Sequence, residues 1–344
     1  MKILAIGASG SLGHSYSNYS TYKESITKTF NRRPLDSINA IKLDITNKSD
    51  FDHLESDYDA IILFAAAMPA EMEGYSPQKY IDVNVTGALN VLEFARRNSI
   101  NKIIYIQTFS DMSAYFYNGI PIQDDAPRTI NYTGDHAVYA ISKIAAAELF
   151  EHYHQEYGMQ TIIFRIPTVY CNDENIDYCV DGVNKRKSYI AMIESIINNN
   201  RVEIWGNPNN SKDMPYIKDF VRLLDKAVGH PSAQGTFNAG TGQPVSLQKL
   251  VDSMVNVFSP TPDNVDIVSR TDEQSQPNFT FDMSKTNSTF NYKPEYDCEN
   301  MLEDIKNSLL PELLKLNEKI SIAFRFTQNC YYEPPTQRIA TLAY

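Results

Sequence analysis

The chain has 344 residues, of which 42% are hydrophobic, and a net charge of −11. That length suits one large domain or two sharing a cleft, and the acidic balance argues against nucleic acid as a bulk electrostatic partner. No apolar run reaches the length of a membrane span, and the chain runs from Met1 straight into a strand pattern, so neither a membrane segment nor a secretory leader is expected and a cytoplasmic location is. Cys171, Cys179, Cys298 and Cys330 form no CxxC pair, and His152 and His154 face different ways on a helix, so reduced thiols and no metal site are expected.

In chain order, 3–6 reads as a buried strand, followed by the glycine-rich turn Gly7-Ala8-Ser9-Gly10-Ser11-Leu12-Gly13. A helix is expected over 14–24, with Leu12, Tyr16, Tyr19 and Tyr22 as its inner face. Strands are expected over 25–30 and 40–43, the latter ending at Asp44. The continuous apolar run 60–66 has the pattern of a central parallel strand. An amphipathic helix over 80–97, a strand over 102–107, a long helix over 138–157 and a strand over 160–165 follow. Strands alternating with helices to about residue 167 predict an α/β fold, a Rossmann-like doubly wound parallel sheet. Beyond it, 170–187 is polar and loop-like. A helix over 188–199, a strand over 201–205 closed by the turn Gly206-Asn207-Pro208, and a last return to the sheet near 236–240 come next. Helices are expected over 247–258 and 300–316. The aromatic end, 320–344 with Pro334-Pro335, is assigned no element.

The chemistry lies in two patterns. Glycines at 7, 10 and 13 after a strand offer backbone N–H groups of a helix N-terminus to a pyrophosphate, with Ser9, Ser11 and Leu12 in the same turn. Tyr139 and Lys143 stand four apart on a helix and share a face. An ammonium beside a phenol favours the phenolate, which yields an acid/base near neutral pH. Together they predict hydride transfer between a dinucleotide and an alcohol or ketone. The position eighteen residues past Gly13, where an acid often binds the adenosine ribose, holds Asn31, followed by Arg32 and Arg33. A neutral amide beside guanidinium groups attracts a 2′-phosphate, which favours NADP over NAD. Asp44, with Ile45 behind it, is placed to accept from the adenine amino group and is equally placed to cap a helix. Ala65 and Ala66 are small enough for a cofactor backbone to approach. Asn84 is a polar group on an inner helix face, and Thr108 sits at a strand's carboxyl end, beside the place of Tyr139.

These residues resemble the extended short-chain dehydrogenase/reductase family, in its nucleotide-sugar epimerase/dehydratase branch, over roughly residues 1–310. Gly7-x-x-Gly10-x-x-Gly13 matches the family's cofactor turn, Tyr139-x-x-x-Lys143 its catalytic pair and Thr108 its catalytic Ser/Thr. Asn84-Val85-Thr86-Gly87, Arg165-Ile166-Pro167-Thr168-Val169-Tyr170, Phe237-Asn238-Ala239-Gly240-Thr241-Gly242 and Asp282-Met283-Ser284-Lys285 match later motifs. The resemblance implies a cofactor domain over 1–167 with a return near 213–240. It also implies a smaller C-terminal substrate-binding domain from 168–212 and 241–316, a tail over 317–344 without assigned role, and a homodimer through helices 80–97 and 138–157. It implies cofactor contacts from Asn84 and Pro167, and substrate contacts from Thr108, Ser110, Tyr139, Thr168, Lys212 and Arg270.

The departures from the family pattern carry information. Phe109-Ser110 stands where 4,6-dehydratases carry Asp-Glu, which argues against water loss. Thr168 stands where many epimerases have asparagine, and Lys212-Asp213 where many have Arg-Asp for the diphosphate. Lysine keeps the charge and loses the bidentate fork. Three readings stay open. The first is a nucleotide-sugar epimerase or keto-sugar reductase. The second is an NADPH-dependent reductase of a non-nucleotide aldehyde or ketone, and the third a non-enzymatic dinucleotide-binding regulator.

Overall fold

Four fully buried residues, Ile3–Ile6, form β1 at the centre of the molecule. A strand buried on both faces requires cover above and below, the condition of a parallel sheet flanked by helices. The computed structural model has that arrangement. It describes residues 1–309 except 36, 38, 39, 70–75, 134, 173–175, 181, 182 and 274. The expected tail over 317–344, and residues 310–316 of the last expected helix, lie outside the described residues.

After β1 come α1 (Ser11–Tyr19), β2 (Ile26–Phe30), β3 (Ile41–Lys42), β4 (Ala60–Leu63), α2 (Pro77–Tyr80), α3 (Ala88–Arg97), β5 (Lys102–Thr108), α4 (Asp135–Tyr157) and β6 (Gln160–Ile166). Then follow β7 (Asp177–Val180), β8 (Val183–Arg186), α5 (Ser188–Asn199), β9 (Arg201–Trp205), β10 (Ser211–Lys212), α6 (Ile217–Gly229) and β11 (Gly235–Asn238). Next come β12 (Val245–Ser246), α7 (Leu247–Phe258), β13 (Asp266–Arg270) and α8 (Ser284–Phe290), and residues 298–309 are helical. The main sheet has seven strands in the order β11-β6-β5-β4-β1-β2-β3, with every pairing parallel. The chain leaves β1 toward β2 and β3, then crosses to β4 on the other side. The carboxyl ends of β1 and β4 therefore flank the switch point where such sheets bind ligands.

Side chains alternate across the sheet. Ile3, Ile62, Ile104 and Phe164 face a core shared with Tyr16 of α1 and Phe220 of α6, which continues into α5 and α7 through Ile193 and Met254. Leu4, Ile61, Leu63 and Ile103 face Val91 and Leu92 of α3 and Phe150 of α4. Small pairs lie outside the sheet: β7 with β8, β9 with β13, and β10 with β12.

Two local expectations are corrected. Helix α1 stops at Tyr19, and Tyr16 alone of its tyrosines is fully buried; Tyr19 is 44% exposed. Serines complete the inner face: Ser17 Oγ donates to Gly13 O at 2.8 Å and Ser20 Oγ to Asp225 of α6 at 2.6 Å. Their small size admits α6, and hydroxyls that find acceptors are cheap to bury. The stretch 170–187 contains the antiparallel hairpin β7–β8, not only loop. Its polar composition conceals it, and the Asp177–Arg186 pair, opposite in register and 3.1 Å apart, helps to hold it.

Candidate active site

The glycine turn has two kinds of glycine. Gly7 adopts φ +88°, and a Cβ there would come within 2.6 Å of Ala65 N; one on Gly13 would come within 2.7 Å of Gly7 O. Both are required by the chain's own close approach. A Cβ on Gly10 would meet only Gly7 O, at 3.6 Å. Gly10 caps α1 without a side-chain bond, and no acid stands in the first turn. The N–H groups of Ser11, Leu12 and Gly13 lack acceptors within the helix, which suits them to a phosphate. These residues fit a dinucleotide.

The other cofactor candidates lie at the carboxyl ends of neighbouring strands. Asn31, Arg32 and Arg33 are exposed directly after β2. Asp44 Oδ1 accepts from the N–H of Thr46 at 2.9 Å and its hydroxyl at 2.8 Å, so it caps the following turn. Ile45 is a packing residue, since a Cβ on Gly87 would fall 2.6 Å from its Cδ1. Ala65 shoulders Gly7, and Ala66 beside it is half-buried. Asn84 lies in a π-helical turn, Ile81–Gly87, that joins α2 to α3. Its Oδ1 accepts from Ala67 N at 2.7 Å, and its Nδ2 donates to Ala67 O at 3.0 Å and Ser142 Oγ at 2.9 Å. Ser142 Oγ in turn donates to Tyr139 O at 2.7 Å. Asn84 thereby ties the loop after β4 to the helix that carries Tyr139.

Thr108 ends β5, buried, and its hydroxyl donates to Ser110 Oγ at 3.1 Å. Tyr139 and Lys143 are both buried on α4. The Tyr139 ring packs 6.0 Å from that of Tyr80. Lys143 Nζ donates to Ile106 O at 2.6 Å, two residues before Thr108, and lies 4.1 Å from the Tyr105 ring centroid. Burial pulls its pKa down to about 7, against an upward pull from Asp111. At neutral pH its charge is therefore sensitive to any anion that arrives.

Asp111 was not visible as a site residue in the sequence. It is fully buried one turn after Thr108. Arg165 Nε donates to its two oxygens at 3.0 and 3.2 Å, and Gln107 Nε2 to Oδ2 at 3.3 Å. Arg165 Nη1 continues to Asp124 O at 3.2 Å and Asn238 Oδ1 at 3.1 Å. The carboxyl's pKa is pushed up by burial and held back by Arg165. The pair locks the segment after Thr108 to β6.

On the substrate side, Pro167 is buried and Thr168 half-buried directly after β6. Tyr170 bridges Tyr216, which brings this segment alongside the one that follows Lys212. Lys212 pairs with Val245 of β12 and is half-buried, and burial pulls its pKa down to about 8. Among the described residues no carboxylate pairs with it. The neighbouring Asp213 is fully buried and accepts from Thr241, Gly242, Thr280 and Phe281. Arg270 is 46% exposed and donates to Glu203 at 3.0 Å, so it is engaged elsewhere on β9. Among the described residues no group of three His, Cys, Asp or Glu side chains could hold a metal ion, and no helix is long and apolar enough to cross a membrane.

The two depressed lysines set a pH dependence of stability. Between about pH 7 and the unfolded value near 10.5 the unfolded chain binds more protons, so stability rises with pH. Urea unfolding at pH 7 and pH 9 should show a gain of roughly 2 kcal/mol from Lys143 alone. A Lys143→Met variant should flatten that rise.

The chain matches the family model described as "NAD dependent epimerase/dehydratase family" over residues 3–240. It is 29% identical over 287 residues to an uncharacterized protein of Methanocaldococcus jannaschii, covering 78% of each. The UDP-glucose 4-epimerase of Thermotoga maritima, solved with UDP-glucose, superposes with TM-score 0.73 at 17% identity, over 91% of this chain and 100% of that one. RMD from Pseudomonas aeruginosa, complexed with NADPH, superposes with TM-score 0.69 at 17% identity, over 89% and 98%. The glycine turn, the buried Tyr139–Lys143 pair and the match over residues 3–240 place the chain in the NAD-dependent epimerase/dehydratase family, as an NAD(P)-dependent enzyme of the extended short-chain dehydrogenase/reductase type.

Proposed function

We propose that this enzyme oxidises a carbinol carbon or reduces a keto carbon of a nucleotide sugar, as an epimerase or a keto-sugar reductase, with NADP(H) as the favoured cofactor. A dinucleotide held at the Gly7–Gly13 turn would supply or take up the hydride. Tyr139 moves the hydroxyl proton, Lys143 supports its charge, and Thr108 with Ser110 holds the reacting oxygen. Lys212 carries the assignment of substrate class: a half-buried ammonium without a carboxylate partner among the described residues suits a diphosphate. Thr168 stands nearer the sugar, and Arg270 joins the grip if it exchanges Glu203 for phosphate. We place the enzyme in the cytoplasm as a homodimer through residues 80–97 and α4, where Ile81, Leu89 and Ile141 are exposed. We assign 1–167 with the return at 213–240 to the cofactor, and 168–212 with 241–316 to the substrate.

The engagement of Arg270 by Glu203 favours a second reading, a reductase of a non-nucleotide aldehyde or ketone, which needs no second phosphate cation. Calorimetric titration separates the two. NADP(H) should bind more tightly than NAD(H) through Asn31, Arg32 and Arg33, and UDP, GDP, dTDP and CDP are then offered to the cofactor complex. Binding of at least one, weakened about tenfold or more in Lys212→Ala, is the expected outcome. If none binds at millimolar concentration, the nucleotide-sugar reading fails and the carbonyl reductase replaces it.

A further inference from the structure

Strand β4 ends at Leu63, opposite Tyr105, while β5 runs on to Thr108 with β6 alone beside it. Past Leu63 the chain bends away from β5, and the N–H groups of Phe64 and Ala65 both donate to Ile6 O of β1. The end of β5 thus loses one strand neighbour, and its buried backbone groups need other partners. Side chains supply them. Lys143 Nζ donates to Ile106 O at 2.6 Å, and Thr108 N–H donates to Gln107 Oε1 at 3.0 Å. Gln107 is 1% exposed. With Oε1 committed to that N–H, Nε2 faces the Asp111 carboxylate, 3.3 Å away.

Gln107 is also the first member of a row across the sheet. It stands opposite Arg165 of β6, which stands opposite Asn238 of β11. All three are buried, on the face of Tyr105 and Ile163 that α4 covers. Gln107 and Arg165 both donate to Asp111, and Arg165 Nη1 donates to Asn238 Oδ1. Asn238 Nδ2 then donates to Ile122 O at 2.8 Å and to Asp282 O at 3.1 Å. Asp282 follows Phe281, whose N–H is held by Asp213, the neighbour of Lys212. The row therefore runs from the backbone of Thr108 to the segments around Lys212. A buried network with its members satisfied is rigid, and the loss of one member leaves others unpaired.

We propose that Gln107 is a positioning residue of the reaction: it fixes the backbone at Thr108, and so the hydroxyl, through the row it shares with Arg165 and Asn238. This rests on the reading of Thr108 as a hydroxyl that holds the reacting oxygen. Gln107 acts through Thr108, so its loss misplaces a group that matters in the transition state and leaves the binding of cofactor and substrate in place.

The test is turnover of the parent, Gln107→Met, Gln107→Glu, Thr108→Val, and Gln107→Met combined with Thr108→Val. The substrate is whichever the parent converts fastest, with NADP(H), among hexoses and 4-ketohexoses linked to UDP, GDP, dTDP or CDP, and simple ketones. Gln107→Met should lower kcat about tenfold or more and leave KM and the calorimetric affinity for NADP(H) within about twofold. In the Thr108→Val background the same substitution should cost less than about twofold, since the hydroxyl it positions is gone. A glutamine that serves only the fold would cost the same in both backgrounds. Glutamate keeps the shape and the acceptor, so it reports even if the methionine variant folds poorly. Protonated, it also donates to Asp111; ionised, it faces a second carboxylate. With Asp111, Arg165 and Arg128 on one side and Tyr105 and Lys143 on the other, its turnover relative to the parent should fall as pH rises. Equal losses in the two backgrounds overturn the role of Gln107, as does parental kcat in Gln107→Met or a Gln107→Glu profile parallel to the parent's. Parental turnover in Thr108→Val overturns the reading of Thr108, and the role of Gln107 with it. A parent that converts no member of the panel overturns the proposed function and this role together.

Discussion

Tyr139→Phe is expected to lower turnover by ~10²–10⁴-fold while dinucleotide affinity stays near that of the parent. The ring is held by packing: Tyr139 is buried, its ring is 6.0 Å from that of Tyr80, and its carbonyl accepts from Ser142 Oγ. Phenylalanine keeps all of this and removes the hydroxyl alone, so fold and cofactor cradle should survive. The loss should appear in kcat and in kcat/KM equally, because the proton is transferred only in the transition state. Lys143→Met is the companion variant. It removes the group that supports a phenolate and also the bond to Ile106 O, so its effect should include a shift of the pH profile. The profile of the parent should show an ionisation that depends on bound cofactor, since burial pulls the Lys143 pKa down to about 7. Near-parental turnover by Tyr139→Phe on the true substrate would remove Tyr139 from the chemistry.

The parts of this molecule that the sequence makes legible are those with a periodic or local cause. Strands β1, β4, β5 and β6 announce themselves by apolar runs, because both of their faces are covered. Helices α5 and α7 have the residue bounds that their patterns predict. Helix α6 also carries a signal, Ile217, Phe220, Val221, Leu224 and Val228 at helical spacing, which a reading of 206–240 as turn and returning strand passes over. Tyr139, Lys143, Thr108 and the glycines are legible as residue types at fixed spacing. What the spacing does not hold is how distant side chains pair. Asn84 reads as a ligand contact, yet the structure spends its amide on Ala67 and Ser142. Arg270 reads as a phosphate cation and meets Glu203 across β9 and β13. Lys187 comes to Ser11 only because the fold brings the start of α5 beside the start of α1. Each of these contacts is set by tertiary geometry, which leaves no periodic trace.

Asp111 is the clearest case, and Asp111→Ala should have the largest effect on stability. Asp111 and Arg165 are 0% and 1% exposed, so neither charge has water to fall back on. Removing the carboxylate leaves the guanidinium buried with neutral acceptors only, Asp124 O and Asn238 Oδ1. Breaking a buried pair in this way costs about 3–5 kcal/mol. Arg128, 3.6 Å from Asp111, loses a carboxylate neighbour too, and only removal of Arg165 as well relieves the excess positive charge. Replacing both members by apolar residues, Asp111→Leu with Arg165→Met, should therefore recover much of the loss, as paired replacement of buried ions often does. Urea unfolding of the two single variants and the double variant measures this coupling directly. The pair also fixes the segment that begins at Thr108, so the double variant should regain stability without regaining full activity. Stability restored together with full activity would show that the ion pair serves the fold and does not position Thr108. Single variants within 1 kcal/mol of the parent would show that Asp111 carries no charge in the folded enzyme.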